Sequence, residues 1–265
     1  MDKYQKKNLD HWNEVVPVHE NSSGYDVKGF LNGGCTLKSI EVEEMGDVRG
    51  KSLLHLQCHF GLDTLSWARR GAKATGVDFS DKAIELAQRL SKETGVKADF
   101  IRSDIYELPK KLNKKFDIVF TSYGVLCWLK DLNNWAKIIN RFLKPGGYFY
   151  IAEQHPFANV FNNEPGTKKL EVTVPYFHNP EPIEWAPGND YANPTYTSKH
   201  GTYEWMHPIG EIVDALIRAG LKIEFLHEFP FVCYQAMPFM IQDKDGNWRL
   251  KGDPLPLTFS IKASK

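Results

Sequence analysis

Between residues 51 and 154 the sequence alternates short apolar segments with segments of helical periodicity, and this alternation constrains the fold more than any other feature. It predicts strands over 52–57, 74–78, 99–102, 116–122 and 148–153. Apolar residues with helical spacing separate them, as in Trp135, Ile138, Ile139 and Phe142. Strands that alternate with helices in this way form a mostly parallel α/β sheet.

Charge and cysteine usage narrow the range of partners. The chain has 265 residues and a formal net charge of zero, with no long basic block, which disfavours a dedicated nucleic-acid partner. The four cysteines are scattered without a CxxC pair, as expected for reduced thiols in a cytosolic protein. The N-terminus is polar, and no apolar run is long enough to span a membrane. We therefore expect a soluble cytoplasmic protein.

Polar and glycine residues follow the first three predicted strands. The loop after the first strand ends at Gly61, the second strand ends at Asp78, and Asp104 follows the third. The carboxyl ends of parallel strands share one edge, so a helix N-terminus and two carboxylates converge on one crevice. This arrangement suits an adenosine-containing cofactor. A nicotinamide enzyme would present the same acid at Asp78, but the sequence lacks GxGxxG at the first turn.

The motifs of this region resemble those of class I S-adenosylmethionine-dependent methyltransferases. The run LHLQCHFG resembles a bacterial subfamily whose acceptors are unassigned, as do TSYGVLCWL and LKPGGYFYIAEQHPF. The resemblance implies a Rossmann-like fold with a seven-stranded, mostly parallel sheet and an antiparallel last strand. Segments 222–229 and 257–263 would supply the last two strands. Gln57 and His59 stand where the family usually has glycine, so they must adopt glycine-like backbone angles or hold the cofactor farther away.

The resemblance also implies a set of S-adenosylmethionine contacts. Asp78 would accept from the ribose hydroxyls, Asp104 would accept from the adenine amino group, and the amide of Ile105 would donate to the ring. A carbonyl of Ser122 or Tyr123 would hold the methionine ammonium. The full predicted set is Gln57, Cys58, Gly61, Asp78, Phe79, Ser103, Asp104, Ile105, Ser122 and Tyr123.

The remainder of the chain is interpreted as a cover over this crevice. Residues 1–50 form an N-terminal arm, and residues 51–265 form the methyltransferase domain with lid insertions at about 155–206 and 230–250. Aromatic and polar residues of these segments suggest a substrate pocket, although packing of the arm and the lid would produce the same pattern. The predicted pocket residues are Trp12, Tyr25, Glu153, His200, Tyr203 and Trp205.

Two residues at strand ends are candidates for catalysis. His155 follows the fifth strand and could accept a proton from a hydroxyl or amine, unless it only shapes the exit of the chain from the sheet. Tyr123 lies at the end of the fourth strand in the same region. No metal site is expected, because no HxxxH helix or cysteine pair supports one, and His55, His59, His200 and His207 are scattered.

The sequence therefore predicts a methyltransferase that transfers a methyl group to oxygen or nitrogen of a small molecule and releases S-adenosylhomocysteine. Two alternatives remain open. One is a non-catalytic protein that binds S-adenosylmethionine or S-adenosylhomocysteine. The other is a methyltransferase acting on RNA or protein, which would need a basic groove beside the crevice. A monomer or homodimer is expected.

Overall fold

The computed structural model describes residues 1–265 and contains twelve strands and eight α-helices. The strands are β1 (Ser52–Leu56), β2 (Lys73–Asp78), β3 (Asp99–Arg102), β4 (Phe116–Ser122), β5 (Leu143–Gln154), β6 (Ile183–Trp185), β7 (Thr202–Glu204), β8 (Lys222–Phe229), β9 (Phe231–Val232), β10 (Ile241–Gln242), β11 (Trp248–Arg249) and β12 (Thr258–Ser264). The helices are α1 (Lys3–Glu20), α2 (Val27–Leu31), α3 (Ser39–Met45), α4 (Leu62–Arg69), α5 (Asp81–Thr94), α6 (Leu108–Lys111), α7 (Leu132–Phe142) and α8 (Ile209–Arg218). Short 3-10 turns occupy Leu126–Trp128 and Ala158–Val160.

Seven of the strands form one sheet in the order β3-β2-β1-β4-β5-β12-β8. The pairs from β3 to β5 are parallel, and β12 is antiparallel to both β5 and β8. The predicted Rossmann-like methyltransferase fold, with seven strands and an antiparallel last strand, is therefore confirmed. The order of the strands reverses at β1 and β4, with β2 and β3 on one side and β5 on the other. This reversal creates a crevice at the carboxyl edge, the usual ligand site of such sheets.

Local sequence explains the elements of the sheet layer. Every residue of β1 is buried, as expected for a central strand covered on both faces. Ser80 caps α5 by accepting from the amide of Ala83 at 3.0 Å, and Gly95 ends that helix in the left-handed conformation. The apolar stripe of α7, which includes Trp135 and Ile139, packs into the main core. These periodic segments fold where their periodicity predicts.

The start of β5 differs from its predicted position. The strand begins at Leu143, which pairs with Phe116, rather than at Tyr148. The intervening Lys-Pro-Gly-Gly run continues along β4 through an irregular register. Gly147 permits this approach, because a Cβ there would lie 2.8 Å from the carbonyl oxygen of Asp117.

The segments outside this layer form a structured cover. The N-terminal arm contains α1, α2 and α3, none of which the sequence pattern predicted. The lid contains the antiparallel pair β6–β7 and a small sheet of β10, β11 and β9. The side-chain amide of Asn8 on α1 donates to the carbonyl of Tyr203 and accepts from its amide, both at 2.8 Å. None of the helices combines the length and apolarity needed to cross a membrane.

Candidate cofactor and acceptor site

The loop after β1 keeps a glycine-like backbone although it lacks most of the glycines. Gln57 and His59 have φ angles of 56° and 50°, and Gly61 has 78°. Left-handed conformations cost roughly 1–2 kcal/mol per residue for side chains with a Cβ, so the surrounding structure must impose them. Of these three positions, Gly61 is the one where a side chain would clash, since a Cβ there would lie 2.5 Å from the ring of Phe100. Gln57 and His59 therefore adopt glycine-like backbone angles, the first of the two outcomes expected for this loop.

The side chains of the loop leave a buried acceptor at the turn. The amide nitrogen of Gln57 donates to the carbonyl of Val125 at 3.1 Å, while its Oε1 is buried with no hydrogen-bond partner. A buried acceptor of this kind gains stability when a ligand donor reaches it. The side chain of Cys58 is buried beside Gly76, and burial raises the pKa of its thiol.

Asp78 is held by the two loops that flank it. Its Oδ2 accepts from the amide of His59 at 2.8 Å, and its Oδ1 accepts from the amide of Ser80 at 2.9 Å. Burial nevertheless raises the pKa of the carboxyl group to about 6. Each oxygen retains acceptor capacity, because a carboxylate offers about four lone-pair sites. The geometry therefore fits the predicted acceptance from two ribose hydroxyls.

The predicted adenine end is occupied by a side chain of α1. Asp104 accepts from the amide of Tyr106 at 2.8 Å and from the side-chain amide of Gln5 at 2.8 Å. A primary amide presents the same NH₂ donor as the amino group of adenine. A cavity of about 730 Å³ opens here, and its lining includes Phe79 and Ser103. Ile105 lies in the main core with its side chain buried, so only its backbone can serve a ligand.

The second half of α1 is fastened over the loop by a contact between His19 and His59. His19 is fully buried; its Nδ1 lies 3.0 Å from Nε2 of His59, and its Nε2 lies 2.8 Å from Oδ2 of Asp190 in the lid. Trp12 packs edge-on against His59 and Trp128, with ring centroids 5.1 and 5.3 Å apart. Arm, loop and lid therefore meet above the first turn.

A cluster of tyrosine and cysteine side chains lies beside this turn. Tyr191 and Tyr234 expose 64% and 39% of their surface, and desolvation raises the pKa of both phenols. The ring centroid of Tyr25 lies 6.4 Å from that of Tyr191 and 5.4 Å from that of His59. These side chains border a common space that solvent reaches.

We call this space the acceptor chamber. Its lining residues are Tyr25, Tyr123, Cys127, Tyr191, Cys233 and Tyr234. The hydroxyls of Tyr25 and Tyr191 are hydrogen-bonded to each other, and the hydroxyl of Tyr234 donates to Gln154. The arm, the loop after β4 and both lid insertions all contribute to its wall.

Tyr123 is paired with a buried carboxyl group from the arm. Its hydroxyl donates to Oε2 of Glu41 at 3.0 Å, and the amide of Lys38 donates to Oε1 of Glu41 at 2.7 Å. Glu41 is fully buried; burial first, and the nearby charge of Asp63 second, raise its pKa to about 7. Sequence reasoning missed Glu41 because no periodic pattern marked α3. The sequence signal at α3 is a cluster of acidic residues, which is typical of an exposed helix face.

Asp63 continues this polar network beneath the turn. It accepts from the hydroxyls of Ser122, at 3.0 Å, and Thr36. Ser122 also lies 3.4 Å from Nε2 of His55. The side chain of Ser122 therefore serves the network, so that only its carbonyl is a candidate for the predicted ammonium contact.

Two predicted residues near the end of β5 contact protein groups. The carboxylate of Glu153 accepts from the backbone amides of Gly124, Val125, Leu126 and Gln154, so it holds the loop after β4. His155 accepts at Nδ1 from the amide of Phe157 at 3.1 Å, and its Nε2 lies 2.9 Å from Glu228 without forming a hydrogen bond. Burial lowers the pKa of the His155 ring.

Among the other predicted pocket residues, only Tyr25 lines the chamber. Trp205 is buried in the lid and its amide donates to the carbonyl of Cys127. Tyr203 packs edge-on against Tyr4 at 4.8 Å, and His200 is exposed while its carbonyl contacts His11. These residues, like Trp12, join the lid to α1. Packing of the arm against the lid, the alternative to a substrate pocket, therefore accounts for them.

The lid also brings together residues that the sequence did not connect. Possible metal ligands at His178, His207 and Glu211 lie within 4.8 Å of one another. Sequence reasoning grouped His207 with His200 and predicted no metal site. Nothing in the spacing of His178 indicated that the lid would fold it against His207.

Comparison with known proteins agrees with this geometry. Residues 54–151 match the family described as "Methyltransferase domain". A ubiquinone biosynthesis O-methyltransferase from Saccharophagus degradans is 31% identical over 127 residues, which are 47% of this chain and 53% of the relative. The chain thus spans about half the length of the curated relatives it matches.

Solved structures extend the likeness to most of the chain. An S-adenosylmethionine-dependent methyltransferase from Mesorhizobium loti has a TM-score of 0.60 at 21% identity, covering 89% of this chain and 100% of that chain. The glycopeptide N-methyltransferase MtfA complexed with S-adenosylhomocysteine has a TM-score of 0.56 at 15% identity, covering 89% of each chain. At these identities the likeness shows the fold. Residues 54–151 therefore match a methyltransferase domain, and the chain has the fold of S-adenosylmethionine-dependent methyltransferases.

Proposed function

We propose that this protein transfers a methyl group from S-adenosylmethionine to a hydroxyl or amino group of a small molecule held in the acceptor chamber. The observation that carries the proposal is the position of the chamber. It lies beside the first turn, and Tyr123 in its wall is hydrogen-bonded to a carboxyl group whose pKa lies near neutrality.

The cofactor would be held by groups that the structure leaves able to bind. Asp78 would accept from the ribose, Asp104 would accept from the adenine amino group in place of Gln5, and Oε1 of Gln57 would accept from a further donor. When bound, the cofactor supplies an electrophilic methyl group on a sulfonium. Closure of the arm and the lid over the chamber would exclude water, which otherwise competes for that methyl group.

The Tyr123–Glu41 pair would take the proton that the acceptor loses. An acceptor hydroxyl that donates to the phenol oxygen of Tyr123 can pass its proton there while the phenol proton moves to Oε2 of Glu41. A base works best when its pKa lies near the operating pH, and burial brings Glu41 to about 7. We favour this pair over His155, whose nitrogens contact Phe157 and Glu228.

Three further observations favour a small acceptor, methylated at oxygen. The curated relative is named an O-methyltransferase of ubiquinone biosynthesis, and its match covers 47% of this chain. The phenolic lining of the chamber suits a partly apolar, aromatic molecule. The rim of the adenine-end cavity mixes Arg102 and Lys130 with Glu107 and Asp131, so it lacks the basic groove that an RNA acceptor would require.

The proposal is tested by binding followed by turnover. Calorimetry should show S-adenosylmethionine binding to the wild type and to the variants Tyr123→Phe and Glu41→Gln. A methyl-release assay across a panel of phenols, carboxylic acids and amines should detect product with the wild type and much less with either variant. Turnover that is equal in all three proteins would remove the pair from the mechanism.

A non-catalytic protein that binds S-adenosylmethionine or S-adenosylhomocysteine is the second candidate, and one contact favours it. The bond from Gln5 to Asp104 closes the adenine end with a group of the chain itself, as a sensor with a movable arm would require. Binding without product from any member of the panel would favour this candidate. The cytoplasmic location and the monomeric or dimeric state remain predictions.

A further inference from the structure

The seam between the lid and α8 carries three potential metal ligands that the proposed methyl transfer does not use. His178 precedes β6, His207 follows β7, and Glu211 lies in the first turn of α8. We infer that these residues bind one divalent transition-metal ion of the zinc class, with a fourth coordination position open to solvent.

Backbone contacts fix both imidazoles in the form that binds metal. Nε2 of His207 lies 2.6 Å from the carbonyl of Leu129, and Nδ1 of His178 lies 3.0 Å from the carbonyl of Met206. A carbonyl can only accept, so these nitrogens carry the protons. The lone pairs therefore belong to Nδ1 of His207 and Nε2 of His178. Metal-bound histidines show this arrangement, in which the second ring nitrogen donates to a carbonyl or carboxylate.

One of these lone pairs has no partner in the protein. His207 is 5% exposed, and its Nδ1 is buried without a hydrogen bond. A buried acceptor without a partner is unfavourable, and a ligand bound to its lone pair would relieve this. His178 stacks on His207 with ring centroids 5.2 Å apart and an interplanar angle of 13°, which keeps the two rings side by side.

The third ligand completes a set that suits zinc. The ligand atoms of the three residues lie within 4.8 Å of one another. Ligands of a tetrahedral zinc ion are separated by roughly 3.3 Å, given metal–ligand bonds of about 2.0–2.1 Å. An approach of up to about 1.5 Å is therefore enough, and the exposed side chain of Glu211 is free to make it. Two imidazoles and one carboxylate also form the protein ligands of several zinc enzymes.

A metal ion at this position would also affect the wall of the acceptor chamber. Through His207 the ion would hold the carbonyl of Leu129, and nearby Trp205 holds the carbonyl of Cys127. Both carbonyls belong to the loop after β4, which contributes Cys127 to the chamber wall. A metal here would tie the lid, α8 and that loop together. This role is independent of whether the chamber catalyses methyl transfer.

The test uses the full-length protein stripped with a chelator and then titrated with ZnCl₂. We expect one zinc per chain to be retained after dialysis, together with a visible absorption band when Co²⁺ replaces zinc. The variants His178→Ala, His207→Ala and Glu211→Gln should each weaken zinc binding at least about tenfold. His227→Ala is the matched control, because that histidine lies on β8 beside Glu44 and away from the cluster.

Two readouts keep the inference open to refutation. His207→Ala removes a buried ring, so circular dichroism must show that it folds; His178→Ala and Glu211→Gln change less buried side chains and serve if it does not. No retained zinc in the wild type would overturn the inference. Zinc binding that is equal in the wild type, His178→Ala and Glu211→Gln would overturn it as well, because the ion would then lie elsewhere.

Discussion

The sheet layer of residues 51–154 and the cover of residues 1–50, 155–206 and 230–250 are held together by different interactions. In the layer, buried apolar residues follow the periodicity of their own strands and helices, and nearly all of β1 and β4 is buried. The cover attaches through polar side chains far apart in sequence, such as His19 with Asp190. The layer supplies a general cofactor crevice, while the cover decides what enters it. The predictions below test this division.

The largest effect is expected where a cover residue and a layer residue share one hydrogen bond. Glu41→Gln and Tyr123→Phe should each lower kcat by about 10²–10⁴-fold if the pair accepts the proton. Because only the ionised carboxylate is a base, the wild-type rate should rise as pH increases through about 7, and Glu41→Gln should lose this rise. Steady-state kinetics across pH provides the measurement. Unchanged affinity for S-adenosylmethionine would show that the variants remain folded.

Within the layer, Gly61→Ala should destabilise the fold by about 2–4 kcal/mol, since it adds both a left-handed residue with a Cβ and a clash with Phe100. Gly95→Ala is the matched control. It has a similar φ of 69° but no atom within 4 Å of the added Cβ, so about 1 kcal/mol is expected. Urea unfolding measures both. Equal losses would show that the Phe100 contact contributes nothing.

Asp78→Ala should weaken S-adenosylmethionine binding by about 1–3 kcal/mol, because charge-assisted bonds to the ribose are lost. Titration calorimetry measures the change. Asp99→Ala, an exposed residue at the start of β3, is the control and should bind normally. Full affinity in folded Asp78→Ala would refute the proposed position of the ribose.

His19→Ala should loosen the cover without loosening the layer. The variant loses the contacts to His59 and Asp190, so amide hydrogen exchange should accelerate in α1 by about tenfold while β1 and β4 keep their protection. Equal acceleration in both regions would mean that the cover and the layer unfold as one unit. Asp190→Asn, which keeps the shape of its side chain, should produce a smaller change in the same direction.

The smallest effect is expected at Gln5. If its amide stands where the adenine amino group binds, Gln5→Ala should tighten S-adenosylmethionine binding by up to about tenfold, equivalent to about 1.4 kcal/mol. Calorimetry would detect the change. Weaker binding would instead mean that Gln5 contacts the bound cofactor directly.

The same division explains what could be predicted from the sequence. Strands such as β3 and β4 were predicted to the residue because their apolar periodicity and burial are local properties. The glycine-like backbone of Gln57 and His59 is one of the two outcomes that the family resemblance left open. Glu41 and the His178–His207 cluster were not predictable in this way. Their environment is created by segments that meet only after folding, and no periodicity encodes that encounter.

The attachment of α1 has a kinetic consequence. The helix is fixed by Gln5 near its start, by Asn8 in its second turn and by His19 at its end. Fraying of the first turn releases Gln5 and uncovers the adenine end at Asp104, while Asn8 and His19 keep the rest of the helix in place. If catalysis occurs beneath the helix, the exit of spent cofactor waits for this fraying, and the opening frequency of one turn then sets an upper limit on the number of cycles per second.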